Sequence, residues 1–208
     1  MSGRQRNPRG QGERLRADIV EAGGKMMADP GAPPLTLRGV AREVGVAATS
    51  VYLHFDSVEA LVLEVARQGF GSLRDAIAAA QSGAGDPCER LRLGSRAYCE
   101  WGLANPGWYQ WMFSNPLRIT ASTWEELPGQ PLFQMLVASV AACLGRPADD
   151  PECTRSAQLL WNLTHGMVSL RVARPFLPWP PLAEIVDEAV RRVVEPARLT
   201  ADASPPTA

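Results

Sequence analysis

The sequence predicts an all-α fold, with a unit of three short helices ahead of a longer helical body. Three observations carry this. Apolar residues recur every three or four positions from Leu15 to Val193, the period of helices that bury one face. No stretch alternates apolar and polar residues for long, and no hairpin turn signal is present, so strands are not expected. Breakers such as Asp29-Pro30-Gly31, Gly45, Asn105-Pro106-Gly107 and Pro175 fall at helical intervals, and each ends one apolar pattern before the next begins.

Residues 1–10 hold three arginines, two glycines and a proline, and read as a flexible basic arm. Leu15, Ile19, Ala22 and Met26 share one face of a first helix that stops before Asp29. Thr36 is a suitable N-cap for a second helix through 44, which Gly45 ends. A third short helix covers 47–54, and Asp56-Ser57 open a long helix over 58–81. Leu63, Ala66, Phe70, Leu73 and Ile77 line one face of that helix, and Val58, Leu61, Val62 and Val65 line the next. A helix apolar on two faces lies between other elements. Residues 82–87 lead to a helix striped by Leu91, Tyr98 and Trp101 that ends at Asn105. Trp108, Tyr109, Trp111, Met112 and Phe113 crowd a short helix, and residues 114–131, with three prolines, read as a long loop. Further helices are expected over 132–144, 152–174 and 183–194. The division that follows is an arm at 1–10, a three-helix unit at 11–56, a body at 57–196 and a disordered tail at 197–208.

At 208 residues, with 46% hydrophobic and 21% charged, the chain is long and apolar enough to bury a sizeable core. Its net charge of −1 is unevenly spread: residues 1–55 carry eight Lys/Arg against five Asp/Glu, and the remainder 13 against 17. A basic head on an acidic body suits an anionic partner at the head. The longest apolar stretch, residues 135–144, is about half a membrane span, so no membrane is expected as a partner. The N-terminus lacks the apolar core of a secretory signal, which points to the cytoplasm. Cys88, Cys99, Cys143 and Cys153 form no Cys-x-x-Cys pair, and His54 and His165 are the only histidines. No metal site and no cofactor are therefore expected, and the cysteines read as small buried thiols in a reducing compartment. The chain carries no P-loop, Gly-x-Ser-x-Gly or His-Glu-x-x-His pattern. An enzyme is not expected, since a Ser-His-Asp arrangement rests on His165 alone.

The informative segment is residues 35–61, LTLRGVAREVGVAATSVYLHFDSVEAL. It reads as two short helices around a tight turn. Ala41 is small where the second helix crosses, and Gly45 sits where a positive φ is needed. Val40, Val44, Val46 and Val51 plug the angle between the helices. This is a helix-turn-helix pattern. Ala47, Ala48, Thr49 and Ser50 open the second helix with small or hydroxylic side chains suited to close approach to base edges. Tyr52 and His54 follow, with donors that reach phosphates.

Thr36, Arg38, Ala41, Gly45-Val46, Tyr52, His54-Phe55, Ser57 and Glu59-Ala60-Leu61 together resemble the N-terminal DNA-binding domain of the TetR family of bacterial transcriptional regulators. The resemblance implies that Thr36 caps its helix and donates to a phosphate, and that Arg38 contacts phosphate or a base. It implies that Ala47, Ala48, Thr49, Ser50 and Tyr52 face the groove, that His54 lies near the backbone, and that Ser57 presents a helix N-terminus to phosphate. Many members carry Lys after that serine; here it is Val58, which removes a phosphate contact. Arg4, Arg6 and Arg9 of the arm could compensate in the minor groove.

A second, shorter match, Leu160-Trp161-Asn162-Leu163-Thr164-His165-Gly166, resembles the C-terminal subgroup of this family with a Trp…His-Gly signature. Leu160, Leu163, Met167 and Leu170 form one apolar stripe, and Ile185, Val186, Ala189, Val190 and Val193 another. By resemblance these two helices pair with their counterparts in a homodimer, with Leu160, Leu163, Met167, Leu170, Val186 and Val190 at the interface. Six tryptophans make the body rich in aromatics. Core packing accounts for most of them, and the resemblance adds an effector cavity, with Trp101, Trp108, Phe113, Trp161 and His165 as lining candidates. The expected protein is a dimeric regulator of double-stranded operator DNA, a repressor released by a small, largely apolar ligand. The alternative is a small-molecule-binding helical protein with a weakened DNA-binding head.

Overall fold

The computed structural model describes residues 11–29, 31–114 and 123–202. The expected arm at 1–10 lies outside these residues. Among them the chain forms α1 (Gln11–Ala28), α2 (Leu37–Val44), α3 (Ala48–Tyr52), α4 (Val58–Gln81), α5 (Pro87–Ala104), α6 (Pro106–Ser114), α7 (Gln130–Leu144), α8 (Pro151–Ala173) and α9 (Leu182–Asp202), with a 3₁₀ turn at Trp124–Glu126 and no strand. The all-α expectation holds.

Local chemistry sets the boundaries. Thr36 Oγ1 accepts from the Gly39 N–H (2.9 Å) and Ser57 Oγ from the Ala60 N–H (3.1 Å), satisfying donors that the first helical turn leaves free. Gly45 ends α2 at φ 77°, a left-handed conformation that a Cβ disfavours. The starts of α7 and α8 lie a residue or two earlier than expected, because Pro131 and Pro151 sit in their first turns, where proline costs no hydrogen bond. The tail expected at 197–208 is corrected in part: α9 runs on through Pro196 to Asp202. Ala197 is buried, and its carbonyl accepts from Arg146 Nη2 at 2.9 Å, so tertiary contacts override the proline. Residues 203–208 lie outside the described ones.

The first core cluster joins α1, α2 and α3 through Ile19, Leu37, Val40, Val51 and Phe55 to Leu61, Val62 and Val65 of α4 and Trp111 of α6. The head therefore shares α4 with the body. Arg16 strengthens the seam: its guanidinium lies 3.0 Å from Glu64 and 5.0 Å over the Phe55 ring. A second cluster packs α5, α7, α8 and α9, and a third fills the space between α4, α5, α6 and α8. Helix α5 runs antiparallel to α4 and returns to the head, where α6 turns across α1.

At that crossing the helices touch through glycines. A Cβ on Gly24 of α1 would lie 2.3 Å from Cζ2 of Trp108, one on Gly69 of α4 would lie 3.1 Å from Cε3 of the same ring, and one on Gly107 would lie 2.2 Å from the Ala28 carbonyl oxygen. The Trp108 indole is a wedge between α1 and α4.

The expectation of four free thiols is corrected. Cys88 and Cys143 form a disulfide, with Cα atoms 4.5 Å apart across 55 residues of sequence. The antiparallel course of the body brings the start of α5 and the end of α7 to the same place, the end far from the head. Cys99 and Cys153 are free and buried as expected; burial pushes the Cys99 thiol up to about 12.

One polar chain crosses the third cluster. The Trp161 Nε1–H meets Tyr98 Oη (3.3 Å), Tyr98 Oη meets Tyr109 Oη (2.8 Å), Tyr109 Oη meets His165 Nδ1 (2.8 Å), and His165 Nε2 meets Ser169 Oγ (3.3 Å). Trp161 can only donate. In the arrangement that passes each hydroxyl hydrogen along this chain, Tyr98 donates to Tyr109, Tyr109 donates to His165, and His165 is neutral, accepting at Nδ1 and donating its Nε2–H to Ser169. Burial raises both tyrosine pKa values and lowers that of His165, which favours these uncharged forms.

Two outcomes are expected. Gly24→Ala drives a methyl into the packed indole and lowers unfolding stability by about 1–3 kcal/mol; an unchanged urea midpoint would refute the wedge. His165 has a folded pKa below its unfolded value, so its contribution to stability is present above about pH 6.5 and lost as pH falls through the folded value. Carboxylates held low, such as Glu64 beside Arg16, lose their contribution in a more acidic window. The thermal midpoint of the native chain is therefore expected to fall more steeply between pH 7.5 and pH 5.5 than that of His165→Gln, and parallel curves would sink the neutral-histidine assignment.

Candidate nucleic-acid interface and body cavity

The head presents the short helix α3 outward, braced from behind by Val51, which is buried against α1, α2 and α4. Ala47 is its exposed N-cap, Thr49 is exposed, and Ser50 is half-buried. Ala48 packs partly against the head core and gives the helix a close-lying rather than reaching side chain. Tyr52 is 51% exposed. Thr36, Arg38, Tyr52, Ser57 and Val58 line one shallow depression, joined by Asp56 and Glu59. The N-termini of α2 and α4 both open toward it, and their free N–H groups favour an anion there. The two carboxylates oppose this, and Val58 adds no charge. His54 sits apart from the depression and faces the start of α1 near Gly12. The sequence reading missed Leu53, the C-cap of α3, which is 84% exposed and projects an apolar side chain beside Tyr52.

The body holds a partly open cavity of about 230 Å³. Phe70 of α4, Tyr98 of α5, Met112 and Phe113 of α6, Phe133 of α7 and Trp161 of α8 stand around it. Their rings hold one another in place, Phe70 against Phe113 at 5.7 Å and Phe133 against Trp161 at 5.8 Å. Among the described residues, none that lines the cavity is charged. Its hydroxyls are already engaged: Ser95, Ser139 and Thr164 donate to carbonyls one turn back in their own helices. The space offers apolar contact and aromatic edges, with few free polar groups. It is larger than the roughly 150 Å³ hole that admits benzene and smaller than most drug-sized pockets, which start at about 300 Å³.

Of the five lining residues expected from the sequence, Phe113 and Trp161 line the cavity. Three do not. Trp108 is the wedge against Gly24 and Gly69. Trp101 lies on the other side of α5, where its Nε1–H reaches Ser72 Oγ of α4 at 3.3 Å. His165 stands behind Tyr109, stacked on its ring at 5.5 Å. Aromatic density marked the region but not which ring faces the space.

The expected dimer stripes need the same correction. Leu160, Val186 and Val190 are buried inside one protomer, where α8 and α9 meet the rest of the body, and Met167 packs against the same cores. Leu160, Val186 and Val190 have almost no accessible surface to offer a second copy, whereas Met167 is half-buried. Leu163 (43% exposed) and Leu170 (54%) do face outward, together with Leu159 (51%), which the sequence reading passed over. These three positions, four and seven residues apart, lie on one face of α8.

The family profile described as bacterial regulatory proteins, tetR family, matches residues 19–65, and that of the tetracyclin repressor-like C-terminal domain matches residues 91–195. An HTH-type transcriptional regulator of Mycobacterium tuberculosis is 27% identical over 107 residues, 50% of this chain and 46% of that one, so the chain spans about half the length of the curated relatives it matches. The fold is similar to that of a Rhodococcus sp. RHA1 protein of unknown function, with a TM-score of 0.71, 25% identity, and 92% of this chain and 98% of that one covered. It is also similar to a TetR family transcription regulator of Marinobacter aquaeolei, with a TM-score of 0.64, 18% identity, and 88% and 96% covered. Two profiles that between them cover the helix-turn-helix and the body leave one assignment: the chain belongs to the TetR family of bacterial regulatory proteins.

Proposed function

We propose that the protein is a homodimeric repressor in the cytoplasm that binds double-stranded operator DNA through α3 and leaves it when a small, uncharged, largely apolar molecule fills the body cavity. The observation that carries this reading is the double duty of α6. Its Phe113 and Met112 face the cavity, while Trp108 and Trp111 pack into the head. A molecule that presses on Phe113 therefore acts on the same helix that fixes α1 against α4. Two recognition helices must stand about 34–36 Å apart to enter successive major grooves. A ligand that binds better when they are misplaced weakens DNA binding by its differential affinity, typically by about 1–3 kcal/mol or 5- to 150-fold.

The proposed DNA contacts are Thr36, Arg38, Tyr52 and Ser57 toward phosphate and Ala47, Ala48, Thr49 and Ser50 toward bases. The placement of His54 near Gly12 supports at most a contact at the edge of the site. The outward face of α8, Leu159, Leu163 and Leu170, is proposed to meet a second copy, which supplies the second half-site that one short helix cannot. A second reading is favoured by the depression itself: Val58, Asp56 and Glu59 beside the phosphate contacts suit a head with weakened DNA affinity, in a protein that retains only its ligand.

Fluorescence anisotropy on DNA from upstream of the gene, across a salt series, separates the two. The regulator binds selectively, with a log–log slope of about −0.9 per phosphate neutralised, whereas a flat response supports the weakened head. Tyr52→Phe is expected to weaken binding to every sequence alike, and unchanged affinity removes the hydroxyl from the phosphate contacts. Leu163→Glu with Leu170→Glu is expected to give folded monomers in sedimentation velocity; persistent dimers would place the interface elsewhere.

A further inference from the structure

We propose that the Cys88–Cys143 pair is a thiol-exchange site whose redox state sets how well the body cavity holds its ligand. The inference rests on the reading of the cavity as an effector site. The disulfide lies at the cavity's far end and joins two of its walls. Cys88 is three residues before Leu91, and Cys143 is four residues after Ser139; both neighbours line the space. The bond therefore fixes the separation of α5 and α7 one helical turn from the ligand. Cys88 is partly exposed and Cys143 is buried, so a reagent in solution reaches the bond from the Cys88 side. The remaining cysteines do not compete. Cys99 and Cys153 are buried, and burial raises both thiols, which keeps them protonated and unreactive.

In the cytoplasmic setting proposed above, small thiols keep most cysteines reduced, and a disulfide bridging a ligand site there is suited to sensing rather than to permanent stapling. The reductant is a small thiol or dithiol. Its thiolate attacks the Cys88 sulfur, a mixed disulfide forms, and the Cys143 sulfur leaves and takes up a proton. A second thiolate attacks the reductant's sulfur in the mixed disulfide, and Cys88 leaves and is protonated. Two thiols become one disulfide as one disulfide becomes two thiols, a transfer of two electrons. Oxidised small-molecule disulfide runs the sequence backwards. With the bond open, the covalent tie between α5 and α7 is gone, and the cavity loses part of the preorganisation that favours binding.

The test uses the full chain and the neutral apolar fluorophore N-phenylnaphthylamine. The chain is purified without reductant and its Cys88–Cys143 link is read by peptide mass. Probe affinity is then measured oxidised, after dithiothreitol, and after reoxidation with oxidised glutathione. The expected result is a Kd that rises about fivefold or more on reduction and recovers on reoxidation, within the usual range of couplings between sites. Cys88→Ser with Cys143→Ser should sit at the reduced value and ignore dithiothreitol, and Cys99→Ala should keep the response. Should the double variant fail to fold, the reversible cycle on the native chain carries the test. Absence of the link, equal affinity in both states, or a response that survives in the double variant overturns the proposal. Failure of the probe to bind in either state overturns the cavity reading along with it, whereas selective operator binding is scored separately, without probe.

Discussion

The structure depends on the seating of Trp108 between two helices that have made room for it. Gly24 and Gly69 remove the side chains that would keep an indole out, and Gly107 lets the start of α6 lie against the end of α1. Dispersion contacts in so close a fit fall away within a fraction of an ångström, so the arrangement favours one relative placement of head and body over a continuum. The link between the head and the cavity passes through this point. The presentation of α3 is set by α1 and α4, these are set by Trp108 and Trp111, and the helix carrying both tryptophans ends in Phe113 at the cavity wall.

The cavity and the junction divide the aromatic residues by chemistry. Around the cavity, the rings with a polar handle are tied into hydrogen bonds, Trp161 to Tyr98 to Tyr109 to His165, and Trp161 and Tyr98 share the wall with the apolar rings of Phe70, Phe113 and Phe133. A buried polar chain is costly when it is partly satisfied and rigid when it is complete. Here it is complete, and it orients the tyrosine and tryptophan rings without presenting charge to a ligand. A carboxylate or phosphate would enter such a space at a large desolvation cost with no cation among the described lining residues to offset it.

The sequence was legible where local chemistry alone decides. Thr36, Gly45 and Ser57 mark α2 and α4 because caps and a left-handed turn are properties of a few adjacent residues, and 58–81 was expected for α4 and found. It was not legible where two helix faces compete. Helix α8 carries apolar residues on both sides, and periodicity cannot say whether Leu160 or Leu159 turns inward; packing against α5, α7 and α9 decides it. Nor could aromatic density separate a wedge from a wall. The signal for Trp108 lay in other elements, in Gly24 and Gly69, and shows only once α1, α4 and α6 are brought together. Cys88 and Cys143, 55 residues apart, have no spacing signature, and only the antiparallel course of α5 and α7 makes them neighbours.

The sharing of α4 has a consequence for how this protein can be taken apart. A helix-turn-helix is often pictured as a module that can be cut out and grafted. Here the apolar floor under α3 is completed by Leu61, Val62 and Val65 of α4 and by Trp111, which comes from a helix more than forty residues further along the chain. A fragment ending at Asp56 would expose that floor to water, and one ending after α4 would still lack its tryptophan. Helix α3 is therefore not portable, and a chimaera that alters it has to exchange its surface residues in place and leave the seam with α4 and α6 intact.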